Sequence, residues 1–177
     1  VVASLLNLHK RGAMSEDARD AFRTIQHRVD ALTSVHRHLV SQGDAADCVS
    51  ARQLVEDISG IFGDPDGLSD HPPVVADIAP ALTLPQDVAL PVAFLLTELI
   101  ELALGHDGDP IIRIALHRDA DGAMTLTVHS DVYALPACDA ALTSGYIARV
   151  LSGLSRQLRS ELVRSADRTE FALVIAA

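Results

Sequence analysis

Apolar residues recur at every third or fourth position between residues 15 and 42, which is the spacing of one face of an α-helix. They are Ala18, Phe22, Ile25, Val29, Leu32, Val35 and Leu39. Ser15 stands just before two acidic residues and suits an N-cap, and Gly43 suits the end of the helix. The segment "VVASLLNLHK" at residues 1–10 has a similar helical pattern. The pattern therefore predicts a helical hairpin.

This hairpin needs a further layer, because two helices alone bury little apolar surface. A second copy of the hairpin would supply that layer and would close a symmetric four-helix bundle. The residues predicted to face this interface are Leu5, Phe22, Ile25, Val29 and Leu32. The sequence therefore predicts a homodimer.

Beyond residue 46, helical and strand-like patterns follow each other irregularly. Helical spacing marks residues 51–62, 86–105 and 145–158, whereas "DAADCVS" and residues 131–144 are predicted as connections. The strand-like runs are "VVADIA", "ALTLP", "PIIRIALHRD", "GAMTLTVHS", "SELVRSA" and "TEFALVIAA". The turn signal "DADG" predicts an antiparallel hairpin, with His117 and His129 as cross-strand neighbours.

This order of elements favours an α+β fold in two parts. Residues 1–46 are predicted to form the helical hairpin. Residues 47–177 are predicted to form an α/β sandwich with a mixed or antiparallel sheet. Apolar residues make up 49% of the chain but aromatic residues only 3%, so an aliphatic core is expected.

The net charge of −10 argues against nonspecific binding to nucleic acid or to anionic membranes, which carry charge of the same sign. The most apolar run, residues 88–104, contains Pro91, Glu98 and Glu101, so it is expected to be a buried helix rather than a membrane span. The chain has two widely separated cysteines and no signal-peptide pattern. These features predict reduced thiols in a cytoplasmic protein.

Motifs of other common enzymes are missing from the sequence. Neither the G-x-S-x-G motif of serine hydrolases nor the phosphate loop G-x-x-x-x-G-K-[ST] occurs. His36 and His38 lie two positions apart on a predicted helix, so they face different directions and make a poor chelate. No metal site is predicted.

Five segments, in this order, resemble bacterial two-component sensor histidine kinases of the HWE and HisKA_2-type group. The segments are "SLLNLHKR", "ARDAFRTIQHRVDALTSVHRHL", "LPQDVALPVAFLLTELIELALGH", "GYIARVLSGLSRQLRSELVRS" and "TEFALVIA". The resemblance covers nearly the whole chain. It implies a dimerisation and phosphotransfer hairpin followed by an ATP-binding α/β sandwich.

The helix at residues 86–105 corresponds to a family helix that ends in Glu-Leu-x-x-Asn-Ala. In the family, the amide oxygen of this Asn holds the magnesium ion that bridges the ATP phosphates. Glu98 matches the Glu of this motif and His106 matches the basic or His residue that follows it, but Leu102 stands in place of the Asn. Because leucine has no lone pair, the resemblance implies that the metal has lost a protein ligand.

Two further family motifs are also altered. The family pattern Val-x-Asp-x-Gly-x-Gly, whose Asp binds the adenine amino group, corresponds to "VHSDVYA". In this alignment Ser130 takes the Asp position, Asp131 is one residue out of register, and Val132 and Ala134 replace the two glycines. The family motif Gly-Leu-Gly corresponds to residues 145–147, where Gly145 is kept and Ile147 replaces the second glycine. Three altered motifs predict that this chain binds neither ATP nor magnesium.

The phosphoacceptor histidine of the family lies on the first hairpin helix, before the position of Val1, so no catalytic residue is predicted within these 177 residues. Neither His9 nor His27 has the flanking residues of the family acceptor. The resemblance implies response-regulator receiver domains as partners. A histidine phosphotransferase that passes phosphoryl groups between receivers is the preferred function, provided that an acceptor lies upstream. A pseudokinase, a phosphatase, a sequestering scaffold, a purely structural dimerisation partner and an active kinase with unusual motifs remain as alternatives.

Overall fold

Five helices and seven strands make up the described part of the chain, which in this computed structural model comprises residues 16–41, 48–63, 74–106, 110–120 and 122–175. The helices are α1 (Glu16–Ser41), α2 (Ala51–Ile61), α3 (Gln86–Leu104), α4 (Pro136–Ser144) and α5 (Tyr146–Gln157). The strands are β1 (Cys48–Ser50), β2 (Val74–Ile78), β3 (Thr83–Pro85), β4 (Ile112–Arg118), β5 (Met124–His129), β6 (Leu162–Arg164) and β7 (Glu170–Ile175). The predicted α+β class is confirmed.

The main sheet has five strands in the order β2-β4-β5-β7-β6. Strands β2 and β4 are parallel, and the other neighbours are antiparallel, so the predicted mixed sheet is confirmed. Side chains alternate between the core and the other face along β4 and β5, as expected for a sheet covered on one face. Gly122 takes a φ of 90° in the turn between these strands, a conformation that glycine adopts without strain.

Helix α3 is buried on nearly all sides, which explains its continuous apolar sequence. It contacts α1, α2 and α5, and its apolar residues join those of the sheet in one hydrophobic core. The predicted buried helix is thus confirmed. None of the described helices is long and apolar enough to cross a membrane.

Helix α1 presents two different faces. Ala31, Ser34 and Val35 are buried on the face that meets α2 and α3. Ile25 and Leu32 remain 44% and 47% exposed on another face. The predicted apolar stripe is therefore divided, because Val35 belongs to the core of this chain. The first hairpin helix at residues 1–10, including Leu5, lies outside the described residues.

Two predicted connections contain regular structure. Residues 131–144 form a single 3₁₀ turn, Asp131–Ala134, followed by α4. Pro136 at the first helical turn and the alanines after it suit a helix, but the periodicity of this short segment was too weak to indicate one. Likewise, Cys48–Ser50 form a strand that pairs with β3, in which buried Val49 lies opposite buried Leu84.

The predicted pairing of His117 with His129 is wrong. The observed register places His117 opposite Thr125 and His129 opposite Arg113, so the two histidines lie near opposite ends of the β4–β5 hairpin. The turn begins closer to His117 than to His129, and in an antiparallel hairpin this difference in distance fixes the partners.

Candidate functional site at the altered nucleotide motifs

The second half of α3 is in direct contact with residues 130–138, the segment that carries the altered adenine motif. The Tyr133 hydroxyl donates a hydrogen bond of 2.9 Å to the carbonyl oxygen of Leu99. The Cys138 sulfur lies 3.4 Å from both ring nitrogens of His106. His106 in turn places Nδ1 2.8 Å from the carbonyl oxygen of Leu102. Contacts from Tyr133 and Cys138 thus connect the segment compared with the family's adenine motif to the helix compared with its metal motif.

Tyr133 is the largest fully buried side chain among the described residues, and it is 0% exposed. Its ring packs edge-on against Phe171, with 5.1 Å between the ring centroids. Burial raises the pKa of the Tyr133 hydroxyl far above its usual range, so the neutral hydroxyl is a permanent donor to α3. The sequence comparison missed this residue, because the family motif accepts any residue at its position. The rarity of aromatic residues, 3% of the chain, was the available signal.

Leu102 is a core residue and is 5% exposed. It belongs to the same hydrophobic cluster as the sheet residues Ile114 and Leu126. The side chain therefore has a packing role in addition to lacking a lone pair for a metal.

Glu98 is one helical turn before Leu102, and its side chain is only 4% exposed. Arg28 of α1 donates a hydrogen bond of 2.6 Å from Nε to the Glu98 carboxylate. The Arg28 guanidinium also lies over the ring of Tyr146, 5.1 Å from its centroid. Burial lowers the Arg28 pKa, but the bond and charge of Glu98 outweigh this effect and raise it overall. Arg28, which sequence reasoning did not select, thus joins α3 to the start of α5.

Glu101 extends this contact between α1 and α3. Its carboxylate accepts a hydrogen bond of 2.6 Å from the Thr24 hydroxyl, and His27 Nδ1 lies 3.7 Å away. Burial alone would raise the pKa of Glu101, but its contacts with His27 and Thr24 lower it overall. Both carboxylates on this part of α3 are therefore held by α1.

The four adenine-motif positions have different environments. Ser130 is 0% exposed, and its hydroxyl has no hydrogen-bond partner among the described residues. The Asp131 side chain is 94% exposed and lies 3.9 Å from His129 Nε2. Val132 is partly buried and Ala134 is exposed. The Asp131 carboxylate thus projects into solvent, whereas the neighbouring Ser130 is buried.

Gly145 has a steric role between α4 and α5. A Cβ atom at this position would lie 2.7 Å from the carbonyl oxygen of Ala141, which is closer than such atoms approach in proteins. Ile147 is partly buried and packs against the core. The retained glycine is therefore explained by the tight connection between two helices, without reference to a nucleotide.

Helix α4 is tied to the end of the sheet by Asp139. The Asp139 carboxylate accepts hydrogen bonds from Arg164 at 2.7 Å and from Arg168 at 2.9 Å. Arg164 also donates to the carbonyl oxygen of Tyr133. The hydrogen bond from Arg164 lowers the pKa of Asp139. These contacts hold the segment after Tyr133 against β6 and β7.

Metal-ligand side chains do not cluster at this site. No group of three or more His, Cys, Asp or Glu side chains suited to a metal ion occurs within the described ranges. His38 lies 3.1 Å from the Asp57 carboxylate, and His36 is exposed. His38 thus contributes to the contact between α1 and α2.

Comparisons with known proteins agree with this architecture. The family model HisKA_2, described as histidine kinase, matches residues 1–61. The histidine kinase domain of a blue-light activated histidine kinase from Erythrobacter litoralis is similar at 19% identity, with a TM-score of 0.68 over 86% of this chain and 74% of that chain. The longer structure of this kinase has a TM-score of 0.68 at 18% identity, and the match spans 59% of its length.

A third solved structure is the histidine kinase AdeS of Acinetobacter baumannii, with 15% identity, a TM-score of 0.57, and coverage of 98% of this chain and 93% of that chain. The search of curated protein sequences found no match. At these identities the structural matches show the fold alone. The chain is therefore similar to two-component sensor histidine kinases of the HWE and HisKA_2 type, in sequence over residues 1–61 and in fold over its described residues.

Proposed function

We propose that this chain is a two-component phosphosignalling module that binds neither ATP nor magnesium. The observation that carries the proposal is the position of Tyr133, which is fully buried and bonded to the main chain of α3. In the kinases that the chain resembles, the nucleotide lies between the metal motif and the adenine motif. Here the tyrosine side chain lies between the corresponding segments.

The surrounding residues support the same proposal. Leu102 offers no lone pair to a metal, and buried Ser130 cannot replace the charge of a carboxylate. Glu98 is paired with Arg28, so its carboxylate is not available to a ligand. A nucleotide would have to displace Tyr133 and separate this ion pair, which requires much more free energy than filling an open pocket.

Isothermal titration calorimetry tests the loss of nucleotide binding. ATP with magnesium, at millimolar concentration, is titrated into the chain and, as a positive control, into a nucleotide-binding histidine kinase. No saturable heat is expected with this chain. Saturable heat would overturn the proposal and favour an active kinase with unusual motifs.

The module acts as a histidine phosphotransferase if an acceptor histidine lies upstream of Val1. The match of residues 1–61 to a histidine kinase family supports this role, because this part of the chain corresponds to the hairpin. In each transfer the bond between phosphorus and a receiver aspartate oxygen breaks and a bond to an imidazole nitrogen forms, or the reverse. Positioning and a magnesium ion held by the receiver suffice for this in-line transfer.

The phosphotransferase role is tested with the chain extended to include its upstream residues. The protein is incubated with a phosphorylated receiver and then assayed for acid-labile phosphate, with the acceptor His→Gln variant as control. Phosphate on the parent protein alone is the expected result. Loss of receiver phosphate without transfer would indicate a phosphatase, and no change in either protein would leave a sequestering scaffold.

We further propose that the protein acts as a homodimer through α1, because Ile25 and Leu32 are half exposed on the face that does not meet α3. Charged substitutions, Ile25→Asp and Leu32→Asp, are expected to yield monomers in analytical ultracentrifugation. Val75→Asp is a matched control, since Val75 is 48% exposed on β2. An Ile25→Asp/Leu32→Asp protein that stays dimeric would contradict the predicted four-helix bundle.

A further inference from the structure

A groove runs along the outer side of α5, between α4 and β6. It consists of two adjoining cavities of about 340 Å³ and about 410 Å³. Thr143, Ala148 and Ser152 line both cavities, so the two cavities lie side by side. Gly145 is the one residue of the groove that also belongs to the positions compared with the nucleotide motifs, and Arg164 lies at the edge of the groove.

One end of the groove has an apolar floor and apolar walls, and Ser155, Glu161 and Arg164 also line it. Its floor contains Leu151 and Phe171, each 5% exposed, and its walls contain Leu142 and Leu162. These side chains would lose their remaining contact with water if another apolar group entered. Such burial favours binding by roughly 25 cal/mol for each Å² of apolar surface removed from water.

The other end of the groove is basic. Arg149, Ser152 and Arg156 are exposed along one face of α5, three and four residues apart. Neither arginine forms an ion pair with any residue of the described chain. By contrast, Arg28, Arg37 and Arg164 each contact a carboxylate.

This local charge is opposite to that of the whole chain, whose net charge is −10. Unpaired arginines on an acidic protein attract an acidic partner at this place, whereas the acidic remainder of the surface repels that partner. Arginine is also common at the centres of protein interfaces, where its planar head group binds carboxylates. The groove therefore combines a largely aliphatic pocket, with Glu161 as its one carboxylate, and two arginines at the other end that can bind carboxylates.

We propose that this groove binds an acidic amphipathic segment of a partner protein. Apolar side chains of the segment enter the end lined by Leu142, Leu151 and Leu162, and its carboxylates pair with Arg149 and Arg156. The two arginines are seven residues apart, about 10 Å along the helix axis. Carboxylates with a similar separation on the partner would pair with both at once. The inference is independent of ATP binding and of phosphotransfer.

The probe is a synthetic helical peptide of about 18 residues with Leu on one face and Glu on the other. It is titrated into the isotopically labelled chain, and amide shifts are followed by NMR. Saturable shifts at Thr143, Ala148 and Ser152 are expected. Arg149→Glu should weaken binding about tenfold, as expected for reversing one charge at an interface. Arg113→Glu reverses one charge at an exposed position on β4, outside the groove, and should leave the dissociation constant unchanged.

Three results would overturn the proposal. The first is that a peptide with Lys in place of Glu binds equally well. The second is that an oligothymidine shifts the same amides as strongly as the peptide does, which would indicate a general site for polyanions. The third is unchanged binding to Ala148→Trp, whose indole should fill the groove without changing its charge. Circular dichroism of each variant verifies folding. If Ala148→Trp does not fold, Ala148→Leu takes its place under the same criterion.

Discussion

Leu102 and its neighbour in space Tyr133 have packing roles that the comparison of motifs does not reveal. At the level of sequence, the resemblance implies only that Leu102 replaces a metal ligand. In the structure Leu102 is a buried core residue. The Tyr133 hydroxyl donates a hydrogen bond to the carbonyl oxygen of Leu99, which lies one turn before Leu102 on α3. We therefore expect an asparagine at position 102 to damage the packing without creating a nucleotide site.

Leu102→Asn tests this conclusion. The substitution removes apolar contacts and buries an amide without partners, so the free energy of unfolding should fall by about 2–4 kcal/mol. Nucleotide binding should remain undetectable by calorimetry. Urea unfolding measures the first effect, with Leu102→Met as a volume-conserving control that should cost less than about 1.5 kcal/mol. A stable Leu102→Asn protein that binds ATP would refute this prediction.

Two glycines of adjacent elements should respond in opposite ways to alanine. At Gly145 the added Cβ would lie 2.7 Å from a backbone oxygen, so Gly145→Ala should destabilise the protein by about 1–3 kcal/mol. Gly153 lies inside α5 with no atom within 4 Å of the added Cβ, so Gly153→Ala should stabilise the protein by about 1 kcal/mol. Thermal unfolding compares the two variants. Equal effects would show that the close contact at Gly145 is unimportant.

At the scale of elements, the contact between α1 and α3 determines how α1 packs against the other described elements. Arg28, Thr24 and His27 of α1 contact Glu98 and Glu101 of α3. At the C-terminal end of α1, Ser34, Arg37 and His38 contact the Asp57 carboxylate of α2. Polar contacts with directional geometry thus hold α1 at two places along its length.

The ion pair between Arg28 and buried Glu98 is expected to stabilise the protein more than exposed ion pairs do. Arg28→Met leaves the carboxylate of Glu98, 4% exposed, without its partner, and should lower the free energy of unfolding by about 3–5 kcal/mol. The double variant Arg28→Met/Glu98→Leu should recover most of this loss, because neither charge remains buried.

Glu56→Gln is the control for this pair. It removes a 57% exposed partner of Arg52 and should cost less than about 1 kcal/mol. Chemical unfolding of all three variants gives the comparison. If Arg28→Met costs no more than Glu56→Gln, the pair does not stabilise the contact between α1 and α3.

For the whole molecule, the same contacts predict sensitivity to acid. Burial alone would raise the pKa of Asp57, but bonds from Ser34 and Arg37 lower it overall, and the pKa of Glu101 is lowered as well. A carboxyl group whose pKa is lower in the folded than in the unfolded state stabilises the protein at pH values above its unfolded pKa, which is about 4. This stabilisation is lost as the pH falls through the folded value.

The unfolding free energy should therefore decrease between about pH 5 and about pH 3, and less steeply in Asp57→Asn than in the parent protein. Urea unfolding at several pH values measures the slope. Asp87→Asn, at an exposed position on the first turn of α3, serves as the control and should leave the slope nearly unchanged. A slope unaffected by Asp57→Asn would rule out the contribution of this carboxyl.

Much of the fold could be predicted from periodicity, since strong helical spacing marked α1, α3 and α5 and alternation marked β4 and β5. These patterns arise because each element buries one face, which leaves a local trace in the sequence. Helix α4 and strand β1 left no such trace. They are short, and Cys138 and Val49 are buried by contacts with parts of the chain distant in sequence.

The sequence by itself determined the class of fold and the order of most elements, and it supplied the prediction that three kinase motifs are altered. Only the tertiary structure decided which contacts the residues at these positions make, since Tyr133 reaches Leu99 across 34 positions and Arg28 reaches Glu98 across 70. Neither partner can be identified from local spacing, because contacts between distant residues depend on how the elements pack. The physical reason is that periodicity records which face of an element is buried, whereas packing decides against which residue it is buried.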